Sequence, residues 1–369
     1  MSAVASPSIG CAVPNFSGRT DVNESFAFSV MGGRWVVLLF FGSLDDPLAA
    51  AADRTARASK AFDDRRASYF GVSNDPDDRR LRGLQSLSRG YRYFYDDERA
   101  IASLFGVVQG GAIRPTAFLL DRALRLVSVA GAGSIDALLA DLERHLADEA
   151  AAEALNLAPV LTVPRIFEPE LCRELIAYYA ETGGEPSGMM RDVGGRTVGV
   201  LDDKYKIRRD RIVADERLIA ETRNRIYYRL RPAIFNAFHW LATRVERYMV
   251  ACYDGGDRAF FSPHRDNTSL ATAHRKFAVS INLNDDFEGG ALCFPEFGHR
   301  TYRPPMGGAT VFNCSMLHEA TPVTHGVRYA FLPFLYDEAG AAVRKRNAGA
   351  LVRPGEEGNL SEAEIQAAE

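Results

Sequence analysis

The sequence predicts an α/β domain followed by an α+β domain built on an antiparallel β barrel or sandwich. Up to about residue 148, short apolar runs alternate with helical stretches, which favours a partly parallel sheet covered by helices. From Arg247 onward, short strands are separated by glycine and proline pairs, as is typical of antiparallel β structure. At 369 residues the chain is also long for one domain, since a domain usually has roughly 100–200 residues.

The predicted domain limits follow changes in composition. The first domain covers residues 1–150, and an Ala/Glu-rich stretch that turns to proline marks a linker near 150–160. The second domain covers residues 160–340, and residues 341–369 form a C-terminal tail.

The apolar pattern of the first domain predicts its elements. Apolar runs of strand length predict strands at 34–41, 67–73, 116–121 and 125–130. Helical periodicity predicts an alanine-rich helix at 47–63 and an amphipathic helix at 134–150, with Ser134 as its N-cap.

The second domain begins with helices and continues with strands. Residues 169–181 predict a short helix, and residues 215–250 predict a pair of helices interrupted at Pro232. Between them, the Gly-rich stretch Gly183–Asp203 lacks apolar periodicity, which predicts a mobile loop that acts as a lid. Residues 277–284 alternate apolar and polar side chains with a period of two, as in a strand.

Charge and cysteine content limit the class of protein. A net charge of −4 and a pI near 6.0 give no reason to expect nucleic acid or a membrane surface as a partner. The local basic stretch Lys204–Arg209 predicts either a solvated loop or a loop that faces the substrate. The five scattered cysteines, with no CxxC spacing, argue against disulfides and structural zinc. We find no signal peptide and no membrane span, so we expect a cytoplasmic protein.

The most informative residues are two histidines and one aspartate. His264 and Asp266 lie two residues apart, so on an extended segment their side chains project to the same face. His318 follows 54 residues later in a strand-like segment that a barrel could return to the same point. Two imidazoles and one carboxylate on one face of an octahedron are the ligand set of non-haem Fe(II) oxygenases. The three remaining positions would accept a bidentate 2-oxo acid and O2.

An arginine follows the second histidine at a short distance. Arg328 stands ten residues after His318 in a strand-like apolar segment. A guanidinium fixed near the metal would pair with the distal carboxylate of 2-oxoglutarate, and a buried carboxylate needs such a partner.

Five motifs follow one another over roughly ninety residues of the second domain: Ala251–Gly255, His264–Asn267, Ser280–Asn284, Glu288–Gly290 and the stretch from His318 to Ala330. In order and spacing they resemble prolyl 4-hydroxylase-type 2-oxoglutarate/Fe(II) dioxygenases. The resemblance implies a double-stranded β-helix (jelly-roll) core, with Fe(II) on the two histidines and the aspartate.

The same resemblance implies the co-substrate contacts and the reaction. Arg328 would grip 2-oxoglutarate, and Tyr253 matches a tyrosine that hydrogen-bonds it in some relatives, although a half-buried strand aromatic is the alternative. Where some relatives have a second such tyrosine, this chain has Asn282. The implied reaction hydroxylates an unactivated C–H bond of a prolyl, amino-acid-like or other small substrate. It uses O2, releases succinate and CO2, and takes ascorbate as a candidate reductant.

The first domain contains motifs of a second family. Val13–Phe16, the strand from Trp35, Gly71–Asp75 and Arg114–Phe118 resemble peroxiredoxins of the thioredoxin fold. A peroxidase needs a thiolate at the N-terminus of the helix after the first strand, but Gly42–Ala51 has no cysteine there. We therefore expect a non-catalytic domain that serves docking, homodimerisation or substrate presentation.

Two other functions compete with the hydroxylase hypothesis. One is a thiol peroxidase-like redox protein with a β-barrel appendage, which the absent cysteine argues against. The other is a sensor whose barrel binds metal and 2-oxoglutarate without turnover. Uncoupled decarboxylation of 2-oxoglutarate would separate the sensor from the hydroxylase.

Overall fold

The computed structural model describes residues 6–75, 90–148 and 157–352. The chain divides into two compact units: one comprises Met1–Leu157 with Pro295–His299, and the other comprises Ala158–Phe294 with Arg300–Glu369. The boundary at residue 157 falls within the predicted linker, most of which lies outside the described residues, as does the end of the predicted tail. Within the described ranges, no helix combines the length and the apolar character that crossing a bilayer requires.

The first unit is a mixed five-stranded sheet with order β5-β4-β3-β8-β9. Strands β3, β4 and β5 are parallel, and β8 and β9 add antiparallel to β3. The strands are β1 Ser17–Gly18, β2 Phe26–Ala27, β3 Trp35–Phe41, β4 Ala67–Ser73, β5 Tyr91–Tyr95, β6 Val108–Gln109, β7 Ala112–Ile113, β8 Thr116–Leu120 and β9 Leu126–Gly131. The helices are α1 Pro47–Ala58, α2 Ala100–Leu104 and α3 Ile135–Ala147.

The central strands of this sheet are buried on both faces. Alternate residues of β3 pack into two separate cores, one with α1 and α3 and the other with α2 and the N-terminal segment. A strand covered on both faces has a continuous run of apolar residues. Residues 34–41 can therefore be recognised as a buried strand from the sequence. The predicted α/β fold with a partly parallel sheet is confirmed. Strand β5 was not predicted, and α1 ends at Ala58 rather than at residue 63.

A buried carboxylate ties α1 to this sheet. Oδ1 of Asp53 accepts hydrogen bonds from the hydroxyls of Tyr69 (2.9 Å) and Tyr93 (2.8 Å). Its other oxygen accepts from Nε of Arg57 at 2.8 Å. Burial, with Asp53 next to it, raises the pKa of Tyr69 well above its usual value, so the phenol remains a hydrogen-bond donor. The network satisfies every polar group that it buries, which is the condition for a buried charge to be tolerated.

The second unit begins with helices. They are α4 Pro169–Thr182, α5 Glu216–Arg225 and α6 Arg231–Phe238, with a π-helical turn at Ile226–Leu230 between the last two; α7 Glu338–Arg346 closes the described part. The predicted pair of helices at 215–250 was wrong at its C-terminal end, because the helices end at Phe238 and strands follow. Pro232 lies in the first turn of α6, directly after the π-helical turn.

The described strands of the second unit form two main sheets and two further two-stranded sheets. The larger has nine strands, with main order β10-β23-β19-β26-β17-β15-β11, and the smaller has order β14-β18-β24-β21-β22. The strands are β10 Leu161–Val163, β11 Glu185–Pro186, β12 Met189–Val193, β13 Arg196–Val200, β14 Lys206–Ile207, β15 Arg209–Ile212, β16 Arg244–Glu246, β17 Met249–Asp254, β18 Phe260–His264, β19 Phe277–Asn282, β20 Glu288–Gly289, β21 Leu292–Cys293, β22 Thr301–Tyr302, β23 Ala309–Asn313, β24 His318–Ala320, β25 Val323–His325, β26 Val327–Phe331 and β27 Phe334–Tyr336. The predicted double-stranded β-helix core is confirmed.

The predicted irregular loop at Gly183–Asp203 was wrong. Strands β12 and β13 form a five-pair antiparallel hairpin around the turn Gly194–Gly195. Asp192 accepts a hydrogen bond from the backbone N–H of Leu270 (2.9 Å), and Thr197 accepts one from that of Ala271 (3.1 Å). Polar side chains lie on both faces of this hairpin, so apolar and polar residues do not alternate along its strands as they do in a half-buried strand. The sequence pattern therefore resembles that of a loop.

The Asp53 network gives a test of the first unit. Asp53→Ala would leave two buried tyrosine hydroxyls without an acceptor, so we expect the free energy of unfolding of this unit to fall by about 3 kcal/mol. Urea unfolding of the whole chain, followed by Trp35 fluorescence in a Trp240→Phe background, measures it, because these are the two tryptophans of the sequence.

Glu143→Ala is the matched control, since Glu143 is an exposed carboxylate on α3. If Asp53→Ala unfolded at the same urea concentration as this control, the network would have no structural role.

Candidate metal centre

Strand pairing brings the two predicted histidine ligands together. Strands β18 and β24 are antiparallel, and His264 lies directly opposite His318. The next pair is Phe261 with Ala320, so β18 has one extra residue and forms a β-bulge beside His264. Bulges of this kind redirect side chains, and they are frequent next to active sites.

The predicted carboxylate completes a cluster of three. Oδ1 of Asp266 lies 3.7 Å from Nε2 of His264, and Oδ2 lies 3.3 Å from Nε2 of His318. One ligand atom from each residue lies within 4.8 Å of the others, a spacing that one metal ion could bridge. Asp266 is anchored just after β18, because its backbone N–H donates to the carbonyl of Cys314 at 2.9 Å.

Backbone carbonyls orient both imidazoles. Nδ1 of His264 lies 2.8 Å from the carbonyl oxygen of Ser262, and Nδ1 of His318 lies 3.1 Å from that of Met316. An Nδ1–H donated to a carbonyl leaves the Nε2 lone pair free for a metal. Both Nε2 atoms face Asp266, so the tautomer that these contacts favour is the ligand form.

The protonation states of His318 and Asp266 suit a metal site. Burial, assisted by His264, lowers the pKa of His318 to about 4, so its imidazole is neutral at pH 7. Burial by itself would raise the pKa of Asp266, but His318 and His264 outweigh it and hold that pKa below its usual range. A neutral imidazole such as that of His318 and an ionised carboxylate such as that of Asp266 are the protonation states that bind a divalent ion.

An ion pair behind Asp266 was missed by the sequence reasoning. Arg275 is buried, and two of its nitrogens donate to the carboxylate of Glu246 at 2.6 and 2.9 Å. Its Nη1 donates to the backbone carbonyl of Asp266 at 3.3 Å. In the sequence, Arg275 appears only as a charged residue just before the strand pattern at 277–284. The pattern does not show that its side chain is buried.

Arg328 is buried in the face of the larger sheet that packs toward the smaller one. It is 3% exposed, and it donates to the Ser280 hydroxyl at 2.8 Å and to Oδ1 of Asn282 at 3.1 and 3.2 Å. Among the described residues, no carboxylate lies within ion-pair distance of this guanidinium. Burial, with Arg208 and Arg303 nearby, lowers the pKa of Arg328 below its usual value. A buried guanidinium held by neutral groups is a site for an anionic ligand.

The two other predicted co-substrate contacts lie beside Arg328. Tyr253 is its cross-strand partner, is 3% exposed, and has its ring centroid 5.2 Å from the guanidinium carbon. Tyr253 is therefore fully buried rather than half-buried, and its contact with 2-oxoglutarate stays a prediction. Asn282 uses its oxygen for Arg328 and its nitrogen for the carbonyl of Pro304 at 2.8 Å. This geometry makes Asn282 a support for Arg328, and its contact with 2-oxoglutarate stays a prediction.

The basic stretch Lys204–Arg209 is not a uniform solvated loop. Lys204 and Arg209 are exposed, but Lys206 and Arg208 are buried. Burial, with Arg208 next to it, lowers the pKa of Lys206 well below its usual value. Arg208 forms an ion pair of 2.6 Å with Asp210. The alternation arises because the stretch contributes to β14 and β15, whose residues alternate between the interior and the solvent.

The first unit offers no thiolate where a peroxidase would need one. Strand β3 leads through Gly42–Asp46 to α1, and the carboxylate of Asp46 caps that helix by accepting from the N–H groups of Leu48 (2.8 Å) and Ala49 (3.4 Å). Cys11 is the one cysteine of this half of the sequence, and it is exposed in a loop before β1. The helix N-terminus that would stabilise a thiolate is therefore occupied by a carboxylate.

Two families match the two parts of the chain. Residues 248–336 match the 2OG-Fe(II) oxygenase superfamily, and residues 9–129 match the AhpC/TSA family. Both resemblances inferred from the sequence motifs are thereby confirmed.

The similar curated proteins are hydroxylases by name. A PKHD-type hydroxylase of Synechococcus sp. (strain JA-2-3B'a(2-13)) is 27% identical over 93 residues, which cover 23% of this chain and 41% of that protein. Another, from Paraburkholderia xenovorans, is 34% identical over 87 residues, which cover 21% of this chain and 37% of that protein. The chain thus spans about two fifths of the length of the curated relatives that it matches.

Solved structures resemble each unit at low scores. A prolyl hydroxylase from Trichoplax adhaerens, in complex with a peptide fragment of the hypoxia inducible factor oxygen degradation domain, is 18% identical with a TM-score of 0.40, covering 55% of this chain and 95% of that one. A yeast mitochondrial 1-Cys peroxiredoxin is 20% identical with a TM-score of 0.29, covering 34% and 67%. The family matches, rather than these scores, carry the assignment of each unit.

The three clustered side chains give a direct test. We expect His318→Ala and Asp266→Ala to weaken Co(II) binding by more than the roughly 10–100-fold that loss of an outer-shell partner causes, because each removes a ligand atom. Titration of the metal-free protein with Co(II), read by its visible absorption, measures this.

His325→Ala is the matched control, because His325 is an exposed histidine on β25. Unchanged Co(II) affinity in Asp266→Ala would contradict the assignment of the metal centre.

Proposed function

We propose that this chain is a 2-oxoglutarate- and Fe(II)-dependent hydroxylase, on the premise that residues 248–336 carry a domain of the 2OG-Fe(II) oxygenase superfamily. One observation supports this above the others. A cluster of two imidazoles and one carboxylate stands in the same barrel as a buried guanidinium with no carboxylate partner among the described residues.

The donor set fits Fe(II). His264, Asp266 and His318 supply two imidazole nitrogens and one carboxylate oxygen, and the facial arrangement of such ligands is typical of Fe(II) oxygenases. When bound there, the metal supplies the activation of O2 that couples decarboxylation of 2-oxoglutarate, to succinate and CO2, with hydroxylation of an unactivated C–H bond. The protein holds the ligands in their binding tautomer and keeps Asp266 ionised.

The surroundings of Arg328 fit a dicarboxylic 2-oxo acid. A carboxylate that reached Arg328 would form charge-assisted hydrogen bonds and remove the cost of a buried lone cation. Ser280 and Asn282 hold the guanidinium in place, so little conformational freedom would be lost on binding. Tyr253 lies against the same guanidinium and would donate its hydroxyl proton to the bound acid.

The substrate that we propose is a prolyl, amino-acid-like or other small molecule, free or within a polypeptide. The names of the matched relatives support a hydroxylase. Ascorbate as a reductant belongs to the same proposal. We propose that the first unit serves docking or homodimerisation, because it keeps its fold without a thiolate at α1.

Binding of 2-oxoglutarate tests the proposal. An anaerobic titration of the Fe(II)-loaded protein should give the weak visible charge-transfer band of the chelate, and Arg328→Met should weaken the affinity for 2-oxoglutarate by roughly 100-fold while metal stays bound. The physical reason is the loss of two charge-assisted hydrogen bonds in a buried site.

Arg217→Met, which removes an exposed arginine from α5, serves as the control. Absence of the band in folded, iron-loaded wild type would contradict the proposal. A band without release of CO2 on admitting O2 would favour the sensor over the hydroxylase.

A separate measurement addresses the thiol peroxidase. We expect the metal-free chain with dithiothreitol to consume hydrogen peroxide at the rate of Cys11→Ser and of buffer alone, because α1 begins without a cysteine. Peroxide consumption that depends on Cys11 would instead support the thiol peroxidase function.

A further inference from the structure

Three side chains lie next to one another across adjacent strands of the larger sheet. Arg209 of β15 pairs with Cys252 of β17, so the preceding residue, Arg208, continues the register opposite Tyr253. Tyr253 in turn pairs with Arg328 of β26. Directly opposite residues of antiparallel strands project to the same face, so the order Arg208, Tyr253, Arg328 follows from the register.

The hydroxyl of Tyr253 has one partner of the two that it can take. Its oxygen accepts a hydrogen bond from Nη1 of Arg208 at 3.2 Å. In the part of the chain that the structure describes, its own O–H proton has no acceptor. A buried phenol normally satisfies its O–H group, so the proton is available to a ligand. The Arg328 guanidinium, on the ring of the same tyrosine, also lacks an anionic partner among described residues.

Protein groups hold both terminal nitrogens of Arg208. It is 7% exposed, and its Nη2 donates to Oδ2 of Asp210 (2.6 Å) and to the hydroxyl of Ser187 (3.3 Å). These contacts fix the planar guanidinium, whose geometry then directs Nη1 at the phenol oxygen. The neighbouring cation Lys206 donates instead to Ser187 (2.6 Å) and to the carbonyl of Gly188 (2.7 Å).

We propose that Arg208 is a positioning residue for the co-substrate site, acting through Tyr253. Because Arg208 donates to the phenol oxygen, the O–H bond turns away from Arg208 and toward the region beside Arg328. A carboxylate of the 2-oxo acid then meets a proton donor that is already oriented and loses less entropy on binding. This inference rests on the proposed function, since it assigns a role in binding the acid that the oxygenase would consume.

The test is a double-mutant cycle on affinity for 2-oxoglutarate. Arg208→Met is made together with Asp210→Asn, because removing the arginine alone would leave a buried carboxylate unpaired. We expect Tyr253→Phe to weaken binding by about tenfold, and Arg208→Met/Asp210→Asn by about fivefold. Since both act through one hydroxyl, the combined variant should bind no more weakly than Tyr253→Phe. The readout is the dissociation constant from the anaerobic Fe(II) titration, which needs no turnover.

Three controls separate positioning from a structural role. Arg209→Met removes an exposed arginine of the same stretch, which donates to the carbonyl of Gly184 rather than to Tyr253, and should leave the affinity unchanged. Arg208→Lys keeps the buried charge and the ion pair and should recover part of the loss. Co(II) affinity and the urea midpoint, measured for each variant, should match the wild type in folded preparations.

The outcomes are distinct. The positioning role would be overturned if Arg208→Met/Asp210→Asn bound 2-oxoglutarate with wild-type affinity. It would also be overturned if this variant weakened binding just as much in the Tyr253→Phe background. In either case the oxygenase proposal would stand. If Arg208→Met/Asp210→Asn does not fold, Arg208→Lys is measured instead, both alone and combined with Tyr253→Phe. We expect Arg208→Lys to weaken the affinity for 2-oxoglutarate threefold or more when Tyr253 is present, and to have no further effect in the Tyr253→Phe background. No chelate band in the wild type would overturn both proposals.

Discussion

The antiparallel pairing of β18 with β24 is the constraint on which the candidate site depends. It sets His264 opposite His318, and a slip of one residue would turn one imidazole to the other face of the sheet. Asp266 follows β18 directly and is fixed by a backbone hydrogen bond to Cys314, close to the start of β24. The candidate metal centre is therefore a consequence of strand register, and side-chain contacts such as those of Arg275 refine it.

The second unit buries cations that come from both of its main sheets. Arg328, Arg208 and Lys206 are all buried, and among them only Arg208 has an ion-paired carboxylate in the described part of the chain. Burying unpaired charge is costly, so such an arrangement persists where a ligand supplies the balancing charge or where neutral groups satisfy every donor. The first condition agrees with the proposed uptake of a dicarboxylic acid beside a divalent metal.

The first unit is stabilised by contacts that do not involve a catalytic thiol. Two apolar cores on the faces of one sheet, together with the Asp53 network, stabilise it without reference to a catalytic thiol. At the helix N-terminus where a peroxidase would place its cysteine, Asp46 satisfies the free N–H groups. A carboxylate there stabilises the helix N-terminus, so the local structure needs no thiolate.

The sequence by itself predicted the fold class and the buried strands, and it singled out His264, Asp266, His318 and Arg328 as candidate site residues, because periodicity and ligand spacing are visible in a chain. Only the tertiary structure decided that the stretch 183–203 contains a hairpin and that Arg208 is buried against Tyr253. Exposed and buried cations look alike in a sequence. What distinguishes them is the pairing of β15, β17 and β26, strands that lie far apart along the chain and whose register is a property of the folded sheet.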